Sequence, residues 1–424
     1  MAAPRNASLS GMMEPADNSF GVLRLAMASA VVVSHSYWLA TGIGGVTEPV
    51  HAWTGYTLGQ HAVQVFFFLS GILVAQSLVR GGVVRFLLAR GLRIFPGLAV
   101  CVLLTALLLG PLVSSLPAGD YFSSTLLPRY LAETLSLKTG LAPLPGVFTE
   151  NPVSGIVNSS LWTLKYEVVC YLALAVFGGL ALRIGRVRLV GYGLLAAFLA
   201  SILFARPELA EQSGQLDKVR YFALFFGTGV LAFALRQYIR VHWSLALTAV
   251  ALLWLTNGMH LAEVGQAIGL GYLSIYAASF TFGPLRAFAN RDDLSYGVYI
   301  YGVPVGQTIC LLAPGIGPVA LMAATLAACL VLALLSWRLI ERPAMALRRL
   351  YRNATPARQR KLAVRIARVT GSHDQAPRRD NKVIAPATIA PPATPTETTS
   401  IADLGFVPRR YARIVRTPAV RCLA

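Results

Sequence analysis

The chain has 424 residues, 55% of them hydrophobic and 13% charged, with a mean hydropathy of +0.60. Soluble proteins carry about 25% charged residues, which argues against an ordinary cytosolic enzyme, and apolar runs of about 20 residues recur, each able to cross about 30 Å of hydrocarbon. The formal charge of +19 is uneven: residues 344–424 hold 16 Lys and Arg against 4 Asp and Glu, an excess that in a membrane protein marks cytoplasmic segments rather than a nucleic-acid partner.

A short polar segment, 1–19, lacks the charged-then-apolar order of a cleaved signal peptide. Apolar runs then predict ten helical spans, near 20–40, 61–79, 94–116, 161–182, 189–205, 220–235, 243–259, 264–283, 294–313 and 318–340. With the N-terminus inside, eleven Lys and Arg fall on inward connections and five on outward ones. That bias puts both termini in the cytoplasm. The spans near 220 and 243 are short enough to be tilted or interfacial. The largest outward connection, 117–160, is rich in Pro and Gly and carries a short helix near Tyr121 to Lys138, a lid over an outer cavity. Residues 345–370 read as a basic amphipathic helix on the anionic inner leaflet, and 371–400 lack the apolar content for a core. The fold class is therefore an all-α polytopic bundle, divided as 1–19, a transmembrane domain 20–343 and a basic tail 344–424.

Charged side chains inside spans cost at least about 2.5 kcal/mol on insertion scales and mark function. Arg24 and His35 are eleven positions apart on the first span, and eleven steps of about 100° return to within about 20° of one face, about 16 Å along the axis. Glu167, in SSLWTLKYEVVCYL, falls at a depth close to His35. A carboxylate beside a histidine fixes its tautomer and supports general base catalysis. The competing reading pairs Glu167 with Arg24 or Lys165 as a structural ion pair and lets Arg24 snorkel to lipid phosphates. Arg90 and Arg93, at i and i+3 before Pro96, can grip a phosphate by bidentate bonds, although positive-inside topology also explains them. Glu48, beside Pro49 in an outer connection, is a candidate for sugar hydroxyls. FFFLSG at 66–71 ends in small residues suited to close helix approach, and Tyr296, Tyr299 and Tyr301 recur in SYGVYIYGVP. His51, His61, His242 and His260 are scattered, four of the five cysteines lie within apolar runs, and no metal-ligand spacing or disulfide framework emerges.

Taken together, these segments resemble acyltransferase family 3, integral membrane enzymes that move acyl groups onto glycans and other extracytoplasmic acceptors. The family's arginine, ten residues, histidine signature maps onto Arg24 and His35, and its R-x-x-R element onto Arg90 and Arg93. A phenylalanine-rich segment ending in S-G resembles Phe67 to Gly71. Its W-x-L-x-x-E-x-x-x-Y segment resembles Trp162, Glu167 and Tyr171, its S-Y-x-x-Y segment Ser295 to Tyr299, and its terminal E-R-P Glu341 to Pro343. Gly302 stands where many relatives have histidine, and Gln64 where many have an acidic residue, so neither is expected to be essential.

The resemblance implies a membrane-bound O-acyltransferase, acetyl being the expected group, with acyl-CoA as co-substrate and no metal. Its acceptor would be a saccharide, and its partners membrane lipid and polysaccharide-assembly proteins. Arg90 and Arg93 would hold the acyl-CoA phosphates. His35 would take the acceptor proton or form an acyl-histidine, with Glu167 orienting it and Arg24 lining the channel. Glu48, Trp162, Tyr171 and Tyr296 would bind substrate. The alternative is a transporter or flippase of a glycan or acyl donor; a scaffold built on the basic tail leaves the intramembrane charges unexplained.

Overall fold

The computed structural model describes residues 8–13, 18–42, 44–45, 48–184, 214–259, 261–280 and 283–353. Contacts divide the chain into units Met1–Ser372 and His373–Ala424, the second lying outside the described residues. So do the predicted span 189–205 and the tail beyond residue 353. Among the described residues the regular structure is helical, with isolated bridges at Ser8–Arg240 and Ser114–Val147.

The principal helices are α1 (Phe20–Thr41), α2 (Pro49–Thr54), α3 (Leu58–Leu104), α4 (Gly110–Val113), α5 (Ala118–Ser123), α6 (Leu126–Leu135) and α7 (Leu164–Ile184). They continue as α8 (Gln215–Ala234), α9 (Trp243–Thr256), α10 (Ala262–Ala278), α11 (Pro284–Arg291), α12 (Ser295–Leu312), α13 (Pro318–Ser336) and α14 (Arg342–Asn353). Single π-helical segments, Thr105–Leu109 and Trp337–Glu341, extend α3 and α13. The other nine predicted spans fall on helices. Four described segments are long and apolar enough to cross a membrane: Phe20–Thr41, Leu58–Val113, Ser159–Arg183 and Pro318–Arg348. The expected helix in 117–160 is split into α5 and α6.

The start of α3 is fixed by a reciprocal cap. Thr57 Oγ1 accepts the Gln60 amide at 3.1 Å while Gln60 Oε1 accepts the Thr57 amide at 2.7 Å. Within α3, Gly82 adopts φ 74°, ψ 170°, a conformation that other residues reach only with strain. The chain reverses there. Along α7, Ser70 meets Glu167 and Leu78 lies against Gly178, whereas after Gly82 Val83 lies against Gly179 and Arg90 over Tyr171. Two predicted spans are therefore the arms of one hairpin, and Arg90 and Arg93 sit on its returning arm rather than in a loop.

Helix α12 is apolar all round and occupies the centre, with Ser295 to Pro304 all buried. α1 runs beside it in the same sense, Val32 against Gly302 and Leu39 against Gly306. On the other side of α3, Gly71 and Gly229 let α3 and α8 touch backbone to backbone. A Cβ at Gly71 would overlap the Phe226 carbonyl oxygen, and one at Gly229 the Phe68 carbonyl oxygen. Phe67 stacks on Phe222 at 4.3 Å beside this crossing.

One end of this assembly is tied by ion pairs. Asp293 Oδ2, just before α12, accepts from Arg24 Nη1 at 2.9 Å and from Arg93 Nη2 at 2.8 Å. Arg93 Nη1 reaches Glu341 Oε2 at 2.8 Å, and Ser336 Oγ donates to Glu341 Oε1 at 3.0 Å. The Arg93 guanidinium also lies 5.5 Å from the ring centres of Tyr296 and Trp337. Burial alone would raise the Asp293 carboxyl, but Arg24 and Arg93, with bonds from Ser295, hold it well below the usual carboxylate range.

Two outcomes follow from these contacts. Gly229→Val, whose methyls have only backbone to displace, should cost about 1–3 kcal/mol and lower the melting temperature in detergent; an unchanged melting temperature would contradict the crossing. Glu341→Ala leaves Arg93 with a buried charge half-paired, and loss of one partner of a buried pair costs about 3–5 kcal/mol. The protein recovered from membranes should fall accordingly, and wild-type yield and stability would refute the network's role.

Candidate active site

Above the ion-pair end lies a cavity of about 70 Å³, lined by Arg24 of α1, Val63, Phe66, Phe67 and Ser70 of α3, Thr163, Leu164 and Glu167 at the start of α7, and Ser295, Tyr296 and Tyr299 of α12. Its wall is largely apolar, with one cation and one carboxylate facing the same space. That combination suits a small ligand with a polar reacting end.

The elements that meet here bring their side chains by helical spacing. Phe66, Phe67 and Ser70 share one face of α3. Tyr296 and Tyr299 are separated by one turn on α12, and the Tyr296 hydroxyl donates to the Ile94 carbonyl at 2.8 Å. Residues 159–163 form a tight 3-10 turn ahead of α7, which aims Thr163 and Glu167 into the cavity together.

Glu167 Oε1 accepts a bond from the Tyr171 hydroxyl one turn along and another from Ser70 Oγ at 3.4 Å. Lys165 turns away to Gln215 Oε1 at 2.6 Å, and Arg24 belongs to Asp293. Neither of the ion pairs considered for Glu167 is formed. Nor does Glu167 touch His35, the arrangement that matching depth suggested. His35 Nδ1 is instead 3.5 Å from Ser160 Oγ, with the Trp38 ring 6.1 Å away. His35 does not line the cavity. Thr163 and Tyr299, which line the cavity, are linked to the partner of His35: the Tyr299 hydroxyl meets Thr163 Oγ1 at 2.5 Å and donates to the Ser160 carbonyl at 2.8 Å.

The two arginines expected to act together differ. Arg93 is 8% exposed and its terminal nitrogens are both on carboxylates, so it ties helices. Arg90 lies 6.0 Å over the Tyr171 ring, with its Nε buried and lacking a hydrogen-bond partner. Trp162 packs on Tyr166 and Phe222 outside the cavity lining, with Lys218 Nζ 5.5 Å from its ring. Glu48 also lies elsewhere, one oxygen accepting the Leu58 amide and the other buried and unpartnered.

Gln64 is fully buried in a neutral network. Its amide donates to the Tyr221 hydroxyl at 2.6 Å and Gln266 Oε1 at 2.7 Å, and its oxygen is 3.0 Å from His61 Nδ1. A carboxylate would lose both donated bonds, which accounts for an amide at this position. Among the described residues no group of three His, Cys, Asp or Glu is arranged to hold a metal.

Sequence reasoning missed Asp293, Ser70, Thr163 and Ser160. Asp293 had a readable signal: an acidic doublet, Asp292–Asp293, at the mouth of an apolar span in a chain with few acids, opposite two arginines within or beside spans. The hydroxyls had none, because isolated Ser and Thr at span ends serve equally as caps.

Residues 17–338 match the sequence model of the acyltransferase family 3, described as an acyltransferase domain. An O-acetyl transferase of Shigella phage Sf6 is 29% identical over 338 residues, covering 77% of this chain and 95% of that protein. Nodulation protein 10 of Rhizobium leguminosarum bv. viciae is also 29% identical, over 367 residues, covering 78% of this chain and 94% of that protein. No solved structure matches the chain. With apolar helices of membrane-crossing length and a family match over most of its length, the chain belongs to the acyltransferase family 3 of membrane proteins.

Proposed function

We propose that this chain is an O-acetyltransferase of a bacterial-type cytoplasmic membrane, moving an acetyl group from cytoplasmic acyl-CoA to a hydroxyl of an extracytoplasmic saccharide: exopolysaccharide, lipopolysaccharide or a lipid-linked glycan. One observation carries the reading. A cavity lined by Arg24 and Glu167 shares Thr163 and Tyr299 with a hydrogen-bond chain that runs through Ser160 to His35. A donor end in that cavity would lie beside the turn 159–163 and α12, the elements whose hydrogen bonds also reach His35. The printed name of the phage relative supports the acetyl group.

In this reading ten spans carry both termini in the cytoplasm, and the chain divides at 19 and 343. The end marked by Arg24, Arg93 and Asp293 is then cytoplasmic, as the excess of basic residues on that side favours. Arg90 meets the donor phosphates by charge-assisted bonds, while Arg93 fixes the arm that carries it. His35 accepts the proton of the acceptor hydroxyl as its oxygen attacks the thioester carbonyl; the carbon–sulfur bond then breaks, and the proton leaves with the CoA thiol. Arg24 offsets charge developing in the cavity, and Glu167, held by Tyr171, orients the polar groups of the bound donor end. Tyr296 walls the cavity, and Glu48 and Trp162 lie toward the acceptor. Membrane lipid and polysaccharide-assembly proteins are the expected partners.

The reading is tested by acyl-ester analysis of surface polysaccharide from cells lacking the gene, complemented with wild type or with His35→Ala. Loss of a general base lowers rate by about 10²–10⁴-fold, so the ester should vanish with the gene, return with wild type and stay absent with folded His35→Ala. Full restoration by His35→Ala would remove the histidine from the chemistry and favour a flippase.

A further inference from the structure

A neutral imidazole carries one ring proton, and the nitrogen that holds it decides which one can act as a base. In His35 the two nitrogens differ. Nδ1 is 3.5 Å from Ser160 Oγ, whereas Nε2 has no hydrogen-bond partner among the described residues. An acceptor hydroxyl therefore meets the ring at Nε2, and Nδ1 has to keep the ring's own proton. No carboxylate helps it do so: Glu167, whose depth suggested that role, is bonded to Tyr171 and Ser70.

The hydroxyl that stands at Nδ1 is fixed from another helix. Ser160 is 2% exposed and sits in the 3-10 turn 159–163. A carbonyl oxygen only accepts, so Tyr299 of α12 donates to the Ser160 carbonyl at 2.8 Å, and Thr163 Oγ1 donates in turn to the Tyr299 oxygen. The backbone beneath the Ser160 side chain is thus held by α12, while the imidazole rides on α1. A separation of 3.5 Å is long for this bond, and catalytic hydrogen bonds are often long until substrate and transition state draw them in. A hydroxyl can accept the Nδ1 proton without placing a further charge inside a span, where charge is costly.

We propose that Ser160 is the positioning residue for His35: its Oγ accepts the Nδ1 proton and leaves the Nε2 lone pair for the acceptor hydroxyl. The proposal rests on the acyltransferase reading above and adds the reacting nitrogen and the group that selects it. As the acceptor oxygen bonds to the thioester carbonyl carbon, its proton passes to Nε2, and Ser160 steadies the imidazolium at Nδ1. The carbon–sulfur bond breaks and the Nε2 proton leaves with the thiolate, so Nδ1 keeps its proton throughout.

Membranes carrying wild type, Ser160→Ala or Ser160→Thr are supplied with radiolabelled acetyl-CoA and surface polysaccharide from cells lacking the gene, and rates are normalised to the protein present. A hydrogen bond of this kind is worth about tenfold, so Ser160→Ala should lower kcat by about that factor with KM for acetyl-CoA within about twofold. Ser160→Thr keeps the hydroxyl and should recover most of the loss. A packing role at so buried a site requires the reverse order, Ala tolerated and the larger Thr disruptive. Nitrogen NMR of histidine-labelled protein in bilayers, with His35→Ala to identify the signal, locates the ring proton without either Ser160 variant. The proton should be on Nδ1. A proton on Nε2, wild-type kcat in Ser160→Ala, or the reverse order of the two variants overturns the proposal and leaves the enzyme reading standing. Wild-type membranes that transfer no label overturn the enzyme reading, and this proposal with it.

Discussion

Two guanidinium groups share one carboxylate oxygen beside the cavity, at one end of the bundle. Arg24 comes from α1, Arg93 from the returning arm of α3, and Asp293 from the turn into α12, so one oxygen fixes three helices against one another. Glu341 adds the end of α13 through the second nitrogen of Arg93. Each charge is costly to bury and each is matched, which makes the network intolerant of partial removal. The cavity inherits its shape from this register: Arg24, Ser295 and Tyr296 line it at the positions that the ion pairs set.

Away from that end, hydrogen bonds take over from charge. The Thr163, Tyr299 and Ser160 chain links α7 to α12 and ends at the imidazole of α1. The helices that bear the cavity are thus clamped at one end by ions and at the other by hydroxyls, with aromatic rings between. A neutral amide network around Gln64 holds α3 to α8 and α10 without placing a further charge in the span. The resulting division of labour is economical: charge faces the cavity at Arg24 and Glu167, and the imidazole stands apart from both.

Much of this was legible in the sequence because membrane burial leaves a strong signal. Apolar length alone located the helical segments, and Arg24, His35 and Glu167 stood out as ionisable groups where lipid penalises charge. The partnerships were not legible. Depth along a helix put Glu167 level with His35, but depth says nothing of rotation about the bundle, and α7 turns Glu167 toward α3 and Ser70. The i, i+3 spacing of Arg90 and Arg93 suggested a shared role, yet Arg93 pairs with carboxylates 200 and 248 positions away while Arg90 lies over the Tyr171 ring. Reversal of α3 at Gly82 was hidden for another reason: one glycine suffices to turn the chain, so no polar loop separates the arms, and the arginines expected in a connection lie on helix.

The central claim is that the donor's reacting end occupies the cavity between Arg24, Glu167 and Tyr299. A cryo-electron microscopy structure of the purified protein with a non-hydrolysable acetyl-CoA analogue tests it most directly. The account predicts density for the acetyl end inside that cavity, against Tyr299, with the phosphates near Arg90. An analogue bound elsewhere with the cavity unchanged would contradict it.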